Sequence, residues 1–82
     1  MKLLYFASVR ERVGTGEETI AAAEAPADLA SLRERLVARG AGWREGLSQA
    51  NLLCAVNQTV VHGNVELKAS DEIAFYPPVT GG

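Results

Sequence analysis

Pro26-Ala27-Asp28-Leu29-Ala30-Ser31-Leu32-Arg33-Glu34-Arg35-Leu36-Val37-Ala38-Arg39-Gly40 is the stretch that decides the fold. Proline opens it, and Asp28 stands either as a helix cap or as an acid in the first turn, where the positive end of the helix dipole favours it. Leu29, Leu32 and Leu36 recur at i, i+3 and i+7 and make one apolar stripe. Arg33, Glu34, Arg35 and Arg39 fall mostly off that stripe and read as a solvated flank. Gly40 reads as the left-handed residue that ends the helix. One helix with one stripe cannot build a bundle, but it can cover one face of a sheet.

The sheet lies on both sides of this helix in the sequence. Leu3 to Ala7 alternates as a strand, with Leu3, Tyr5 and Ala7 pointing one way and Leu4 and Phe6 the other. Ser8 is placed to cap a short helix that Gly14 ends. Glu17 to Ala22 is a second, weaker strand. Trp43 to Leu47 reads as a further helical turn with Trp43 over the core. Leu52 to Val56 is a strongly apolar strand, Asn57-Gln58 a turn into Thr59-Val60-Val61, and Glu72 to Tyr76 the last strand. The expected fold is therefore α+β: a mixed sheet covered on one face by one main helix. Its expected core is Leu3, Tyr5, Leu29, Leu32, Leu36, Leu53, Ala55, Ile73 and Phe75. Leu4, Phe6, Val60 and Tyr76 are left on the opposite face. An apolar group there points to a partner if it is contiguous, and is ordinary surface if it is scattered.

At 82 residues the chain holds one domain, expected over 1–76, with an extended segment over 77–82. The formal net charge of −2 carries no basic footprint for nucleic acid. No apolar run is long enough for a membrane span. A single cysteine, Cys54, cannot form an internal disulfide and fits a reducing cytoplasm.

Catalytic machinery within the body is thin. His62 stands in a loop with no ligand-spaced partner, so a solvated histidine is the simpler reading. Cys54 lies in the most apolar strand and reads as a small buried hydrophobe. No glycine-rich loop opens a helix to hold phosphate, and no metal ligands or bound cofactor are expected. The chemistry is expected at the end, Pro77-Pro78-Val79-Thr80-Gly81-Gly82. Two prolines fix φ twice and keep the stem extended. The six residues reach at most roughly 20 Å, enough to enter a cleft in another protein. Val79 can anchor the stem, Thr80 can offer a hydrogen bond, and Gly81 and Gly82 let backbone approach backbone where a Cβ would clash. Against this stands the idle terminus, the usual fate of chain ends.

Three blocks resemble one family: Leu4-Tyr5-Phe6-Ala7-Ser8-Val9-Arg10-Glu11, Ala55-Val56-Asn57-Gln58, and Asp71-Glu72-Ile73-Ala74-Phe75-Tyr76-Pro77-Pro78-Val79-Thr80-Gly81-Gly82. Together they are similar to the small subunits of molybdopterin synthase, ubiquitin-like sulfur carriers with a β-grasp fold. The resemblance implies that a partner enzyme, using ATP and Mg, adenylates the Gly82 carboxylate. A sulfur donor, a persulfide relay, then converts it to a thiocarboxylate. It further implies that the tail enters the large subunit of a heterotetrameric synthase and gives sulfur to cyclic pyranopterin monophosphate, with this chain a carrier and the large subunit supplying the catalytic groups. Phe6, Val60 and Tyr76 match the family's apolar docking surface, and Arg10 a polar docking position. The family's Gly-Asp before the last strand is Ser70-Asp71 here, which strains Ser70 if the turn needs φ > 0. A thiamine-pathway sulfur carrier shares the tail chemistry, although such chains usually lack the Ser8 to Gly14 insertion and the Pro-Pro stem. A ubiquitin-like modifier that conjugates to lysines and a plain interaction module are the remaining alternatives.

Overall fold

The computed structural model describes residues 1–78; Val79, Thr80, Gly81 and Gly82, with the readings made of them, lie outside the described residues. The elements are β1 (Lys2–Tyr5), α1 (Ala7–Val13), β2 (Glu17–Thr19), a 3₁₀ turn (Ala22–Glu24), α2 (Leu29–Val37), α3 (Ala41–Leu47), β3 (Leu53–Val56), β4 (Thr59–Val61) and β5 (Glu72–Tyr76). The sheet order is β2-β1-β5-β3-β4. β1 and β5 run parallel at its centre, and the other neighbours are antiparallel. This is the α+β layering expected from the leucine stripe.

Asp28 is the cap of α2: its side chain accepts a hydrogen bond from the Ser31 amide at 2.8 Å. Leu29, Leu32 and Leu36 are all buried against the inner sheet face, with Leu3, Tyr5, Ile73 and Phe75. Each such side chain contributes about 1.5–3 kcal/mol of transfer free energy. Val9 of α1, Leu47 of α3, and Met1, Ile20 and Leu67 also belong to the core, and none of the five was expected there.

Several local expectations are corrected. Ser8 does not cap α1; Phe6 holds that position, and the Ser8 hydroxyl instead donates to Gln49 Oε1 at 2.7 Å. β1 stops at Tyr5, and Ala7 already belongs to α1. Gly14, with φ +83°, does end that helix. Gly40 lies beyond the end of α2, where Ala38 is the cap residue, and begins α3 with φ +153°. Ser70 is not among the residues with positive φ, so its turn carries no such strain. Among non-glycine residues, positive φ falls at Ala7, Asn51, Asn57 and Gln58; the last two turn β3 into β4 as a primed hairpin turn requires.

The face assignment of β3 is also reversed from expectation. Cys54 pairs with Phe75 and joins the core cluster, and Leu53 pairs with Tyr76 on the outer face; Ala55 is buried, as expected, but by register it sits beside Ala74 on that outer side. Leu52-Leu53-Cys54-Ala55-Val56 is apolar throughout and carries no alternation to set its parity. Pairing with β5 sets it, and a one-residue slip exchanges every side chain between faces.

Two of the arginines expected to be solvated are structural. Arg39 donates to both oxygens of Glu18, at 2.6 and 3.1 Å, and Glu18 also accepts from the Tyr5 hydroxyl at 2.6 Å. The Arg39 guanidinium lies 4.5 Å from the centre of the Trp43 ring, which meets Tyr5 edge-on at 5.4 Å. Partial burial opposes the Glu18 charge, but Arg39 and the Tyr5 hydroxyl together outweigh it and hold the carboxyl below its usual range. Arg33 donates to the Leu47 carbonyl at 2.8 Å and ties α2 to the end of α3.

At the other end of the sheet, Asp71 fastens the β3–β4 turn to β5. Its carboxylate accepts from the Lys68 amide at 2.8 Å and from Asn57 Nδ2 at 2.9 Å. Asn57 returns a pair of bonds to the Glu72 backbone, at 2.8 and 3.0 Å. The Lys68 amide, then the Asn57 side chain, lower the Asp71 pKa. A carboxyl depressed in the fold stabilises it above the unfolded value of about 3.9, and that stability is lost as pH falls from there through the folded value. Asp71→Ala is expected to cost about 1–3 kcal/mol at pH 7, because two donors lose their acceptor. Urea midpoints at pH 7 and pH 3 check this: the gap between the two proteins should narrow at pH 3.

Candidate functional site

The outer sheet face can be built row by row from the strand register. Leu4, Ala74, Ala55 and Val60 stand side by side across β1, β5, β3 and β4. The next row toward the chain end holds Tyr76 and Leu53, which pair directly. Phe6 continues the alternation of β1 with an extended backbone, and its amide donates to the Phe75 carbonyl at 3.2 Å. It therefore flanks Tyr76 on the side away from Leu53. None of the described helices covers this face. Phe6 is 48% and Val60 44% exposed, and these are the exposed large hydrophobic side chains among the described residues.

The structure thus brings Phe6, Tyr76 and Val60 onto one contiguous apolar face. Its floor is Leu4, Ala55, Ala74 and Leu53. Ala55 and Leu53 were missed as parts of this face because the parity of β3 is not legible in its own residues, whereas Ala74 alternates with Ile73 and Phe75 in β5 and shares the face of Tyr76. Small side chains at Ala55 and Ala74 keep the floor low between Phe6 and Val60. The chain leaves β5 at Tyr76 through half-buried Pro77 and exposed Pro78, so the root of the tail lies at the edge of the apolar face. Arg10, exposed on α1, lays its guanidinium over Gly16, where an added Cβ would come within 3.1 Å of Nε. Gly16 in turn accepts from the Tyr5 amide at 2.9 Å.

The remaining candidates do not assemble into a site. His62 is exposed. Cys54 is buried, and desolvation, opposed by the charge of Arg33, pushes its thiol up to about 11, so it stays a neutral thiol near pH 7. A shallow hollow of about 220 Å³ at the start of α2 is lined by Leu29, Ala30, Arg33, Gly63 and Asn64. The two amides at the start of the helix are already engaged: Leu29 with the Val65 carbonyl at 2.9 Å and Ala30 with Asn64 Oδ1 at 2.8 Å. Among the described residues no group of three or more His, Cys, Asp or Glu could hold a metal ion, and no helix is long and apolar enough to cross a membrane.

A mixed five-stranded sheet in this order, with the main helix across one face, defines a ubiquitin-like β-grasp protein. Its fold matches the crystal structure of SAMP1 from Haloferax volcanii with a TM-score of 0.68, at 21% sequence identity, over 100% of this chain and 98% of that one. The chain belongs to the ThiS family, whose model matches residues 3–82. It is 46% identical over 82 residues to the molybdopterin synthase sulfur carrier subunit of Escherichia coli (strain K12), taking in 100% of this chain and 99% of that one. It is 41% identical over 86 residues to the protein of the same name from Haemophilus influenzae (strain ATCC 51907 / DSM 11121 / KW20 / Rd), again over 100% and 99% of the two chains.

Proposed function

We propose that this chain is a sulfur carrier for molybdenum cofactor biosynthesis, loaded at Gly82 and docked through its outer sheet face. The observation that carries the reading is the contiguity of that apolar face with the root of the tail at Tyr76, Pro77 and Pro78. A partner held on the face receives the tail at a fixed place. Full-length similarity to two proteins named molybdopterin synthase sulfur carrier subunit supports the same reading. Helix α1, which fills the Ala7–Val13 segment, favours it over a thiamine-pathway carrier.

The chemistry follows from the weakness of a carboxylate as an electrophile. An adenylating enzyme, with ATP and Mg, lets a Gly82 carboxylate oxygen attack the α-phosphorus, and pyrophosphate leaves. The terminal sulfur of a donor persulfide then attacks the carbonyl carbon of the acyl-adenylate, and AMP departs. A thiol cleaves the resulting acyl disulfide and leaves the Gly82 thiocarboxylate, whose sulfur is ionised near neutral pH and nucleophilic. In the large synthase subunit this sulfur attacks cyclic pyranopterin monophosphate. Two deliveries supply the two sulfurs of the dithiolene.

Incubation with an adenylating enzyme, ATP and a persulfide donor should exchange one oxygen for sulfur in the intact mass, at Gly82. An unchanged mass in the presence of an enzyme that loads other members of the family overturns the reading. Docking has its own prediction. Phe6→Asp is expected to weaken binding to the large subunit by roughly 2–4 kcal/mol, the range for losing a central apolar anchor. Because Phe6 is half-exposed and outside the core cluster, its effect on stability should stay within about 1 kcal/mol. Calorimetric titration beside urea unfolding separates the two, and global unfolding of the variant would refute the face assignment.

A further inference from the structure

Among the described residues the sheet has two open edges, β2 and β4, and the chain treats them differently. In an antiparallel pair every second residue bonds to the neighbouring strand, and the residues between turn their N–H and C=O groups the other way. On the β2 side the Ile20 amide donates to the Met1 carbonyl and the Tyr5 amide to the Gly16 carbonyl. Leu3 and Glu18 are therefore the bonded pair between them, and Glu17 and Thr19 turn their backbone groups outward. That edge is guarded. The Thr15 hydroxyl donates to the outward Glu17 carbonyl at 3.1 Å, and the Glu17 carboxylate stands 3.7 Å from Lys2 Nζ. A filled acceptor and charged side chains both discourage the addition of a further strand.

β4 carries no such guard. Its phase is fixed from two sides. The Asn57 amide donates to the Glu72 carbonyl at 2.8 Å, so Asn57 and Ala55 turn toward β5. The turn at Asn57-Gln58 makes Val56 and Thr59 the first bonded pair of the hairpin, and Cys54 and Val61 the next. Val60 lies between them and turns its amide and carbonyl away from β3, to the open edge. Neither group meets another backbone partner among the described residues. From Asn57 to Gly63 the sole ionisable side chain is His62, and there is no proline. The Val60 side chain, meanwhile, belongs to the outer apolar face. The face and the bare edge meet at one residue.

We propose that the β4 edge takes an extended backbone segment of the large subunit, which adds a strand beside Val60 while it covers the outer face. The inference rests on the carrier reading and says how the docking in that reading is completed. A partner seated on the apolar face runs over Val60 and takes water from its outward amide and carbonyl. Backbone groups stripped of water are costly unless they are paired. An extended segment meets both groups at once with main-chain bonds, and its alternate side chains fall on the outer face beside Val60. A second copy of this chain offers the same edge, but joining two β4 strands only lengthens the sheet and leaves both apolar faces open. A partner that covers the face and meets the edge together satisfies both.

Amide hydrogen exchange of the full chain, read residue by residue by NMR with and without the large subunit, tests this directly. The Val60 amide is expected to exchange fast in the free chain and at least about a hundredfold more slowly in the complex. Thr59 and Val61, bonded to β3, should be slow in both states, and Thr19, on the guarded edge, fast in both. A pair of variants then separates a hydrogen bond from simple burial. Val60→Pro deletes the outward N–H and spares the bonded pairs on either side, since proline is tolerated where an edge strand turns its N–H to solvent. Val60→Ala keeps the N–H and removes most of the side chain. Val60→Pro is expected to bind the large subunit at least about tenfold more weakly than Val60→Ala. Fast exchange at Val60 in a formed complex overturns the inference and leaves the carrier reading standing. Slow exchange with equal affinity of the two variants means burial without a bond, and overturns it too. Slowing in the free chain that grows with its concentration gives the edge to a second copy and has the same effect. If the unaltered chain forms no complex, the carrier reading fails and takes the inference with it.

Discussion

Removing Gly82, or appending a single alanine after it, should abolish sulfur transfer to the pterin precursor while leaving the fold untouched. The carrier chemistry proposed above requires one particular carboxylate at one particular reach from the proposed docking face. Deletion withdraws the electrophile by one residue, about 3.3 Å. That far exceeds the roughly 1 Å of misplacement that already costs about a hundredfold in a positioned reaction. An appended alanine is worse placed still: it converts the Gly82 carboxylate into an amide and puts a Cβ where backbone must approach backbone. Activity should fall by at least about a thousandfold in either variant. Stability should not follow, because every member of the core cluster lies at or before Phe75. Single-turnover assays with the large subunit, alongside urea midpoints, measure both quantities. An extended chain that retained full activity would show that the terminal carboxylate is not the loaded group.

The parts of this molecule that were legible in its sequence share a physical property: their signal is local. The Leu29, Leu32 and Leu36 stripe needs only helical geometry to declare its face, and all three are buried as that geometry requires. Asp28 at the cap and Gly14 at the end of α1 are likewise decided within one turn of chain. In β1 and β5 the alternation of Leu3 and Tyr5, and of Ile73 and Phe75, sets the buried face without reference to partners. From those strands the opposite face carrying Leu4, Phe6 and Tyr76 follows at once.

What stayed hidden depends on contacts distant in the chain. β3 is apolar on both sides, so only its pairing with β5 decides that Cys54 goes inward and Leu53 outward. Ser8 looks like a cap by position, yet its partner is Gln49, in the connection after α3. Arg39 looks like solvated flank until Glu18 and Trp43 are brought beside it. The candidate site was half legible for the same reason. Phe6, Val60 and Tyr76, with Ala74 beside Tyr76 in β5, could be placed on one face, while Leu53 and Ala55, which make that face continuous, could not.

The last hidden feature, the close approach of α1 to α3, yields the largest expected loss of stability from adding a single carbon. A Cβ at Gly42 would collide with the Arg12 carbonyl oxygen, a backbone atom that a rotamer change cannot move. A Cβ at Gly46 would meet Val13 Cγ1 at 3.3 Å, a methyl that can turn aside, and Arg12 Cβ at 3.2 Å, which yields only with a shift of α1 by a few tenths of an ångström. Alanine gains up to about 1 kcal/mol over glycine in a helix, and this gain applies at both positions of α3. At Gly46 it roughly offsets the tightened contact, so Gly46→Ala should change stability by less than about 1 kcal/mol. At Gly42 the helices must separate, at the upper end of the about 1–3 kcal/mol that overpacking costs. Separation also disturbs Val9, buried on α1, and Leu47, buried on α3. A net loss of about 2–3 kcal/mol is expected, or roughly 10 °C or more in Tm for a domain of this size. Because α1 follows Phe6 directly and carries Arg10, Gly42→Ala should also weaken docking under conditions where the variant is still folded. Thermal unfolding of the two alanine variants side by side tests the ordering: equal losses, or a larger loss at Gly46, would mean that Arg12 and Gly42 do not meet as closely as the helix packing requires.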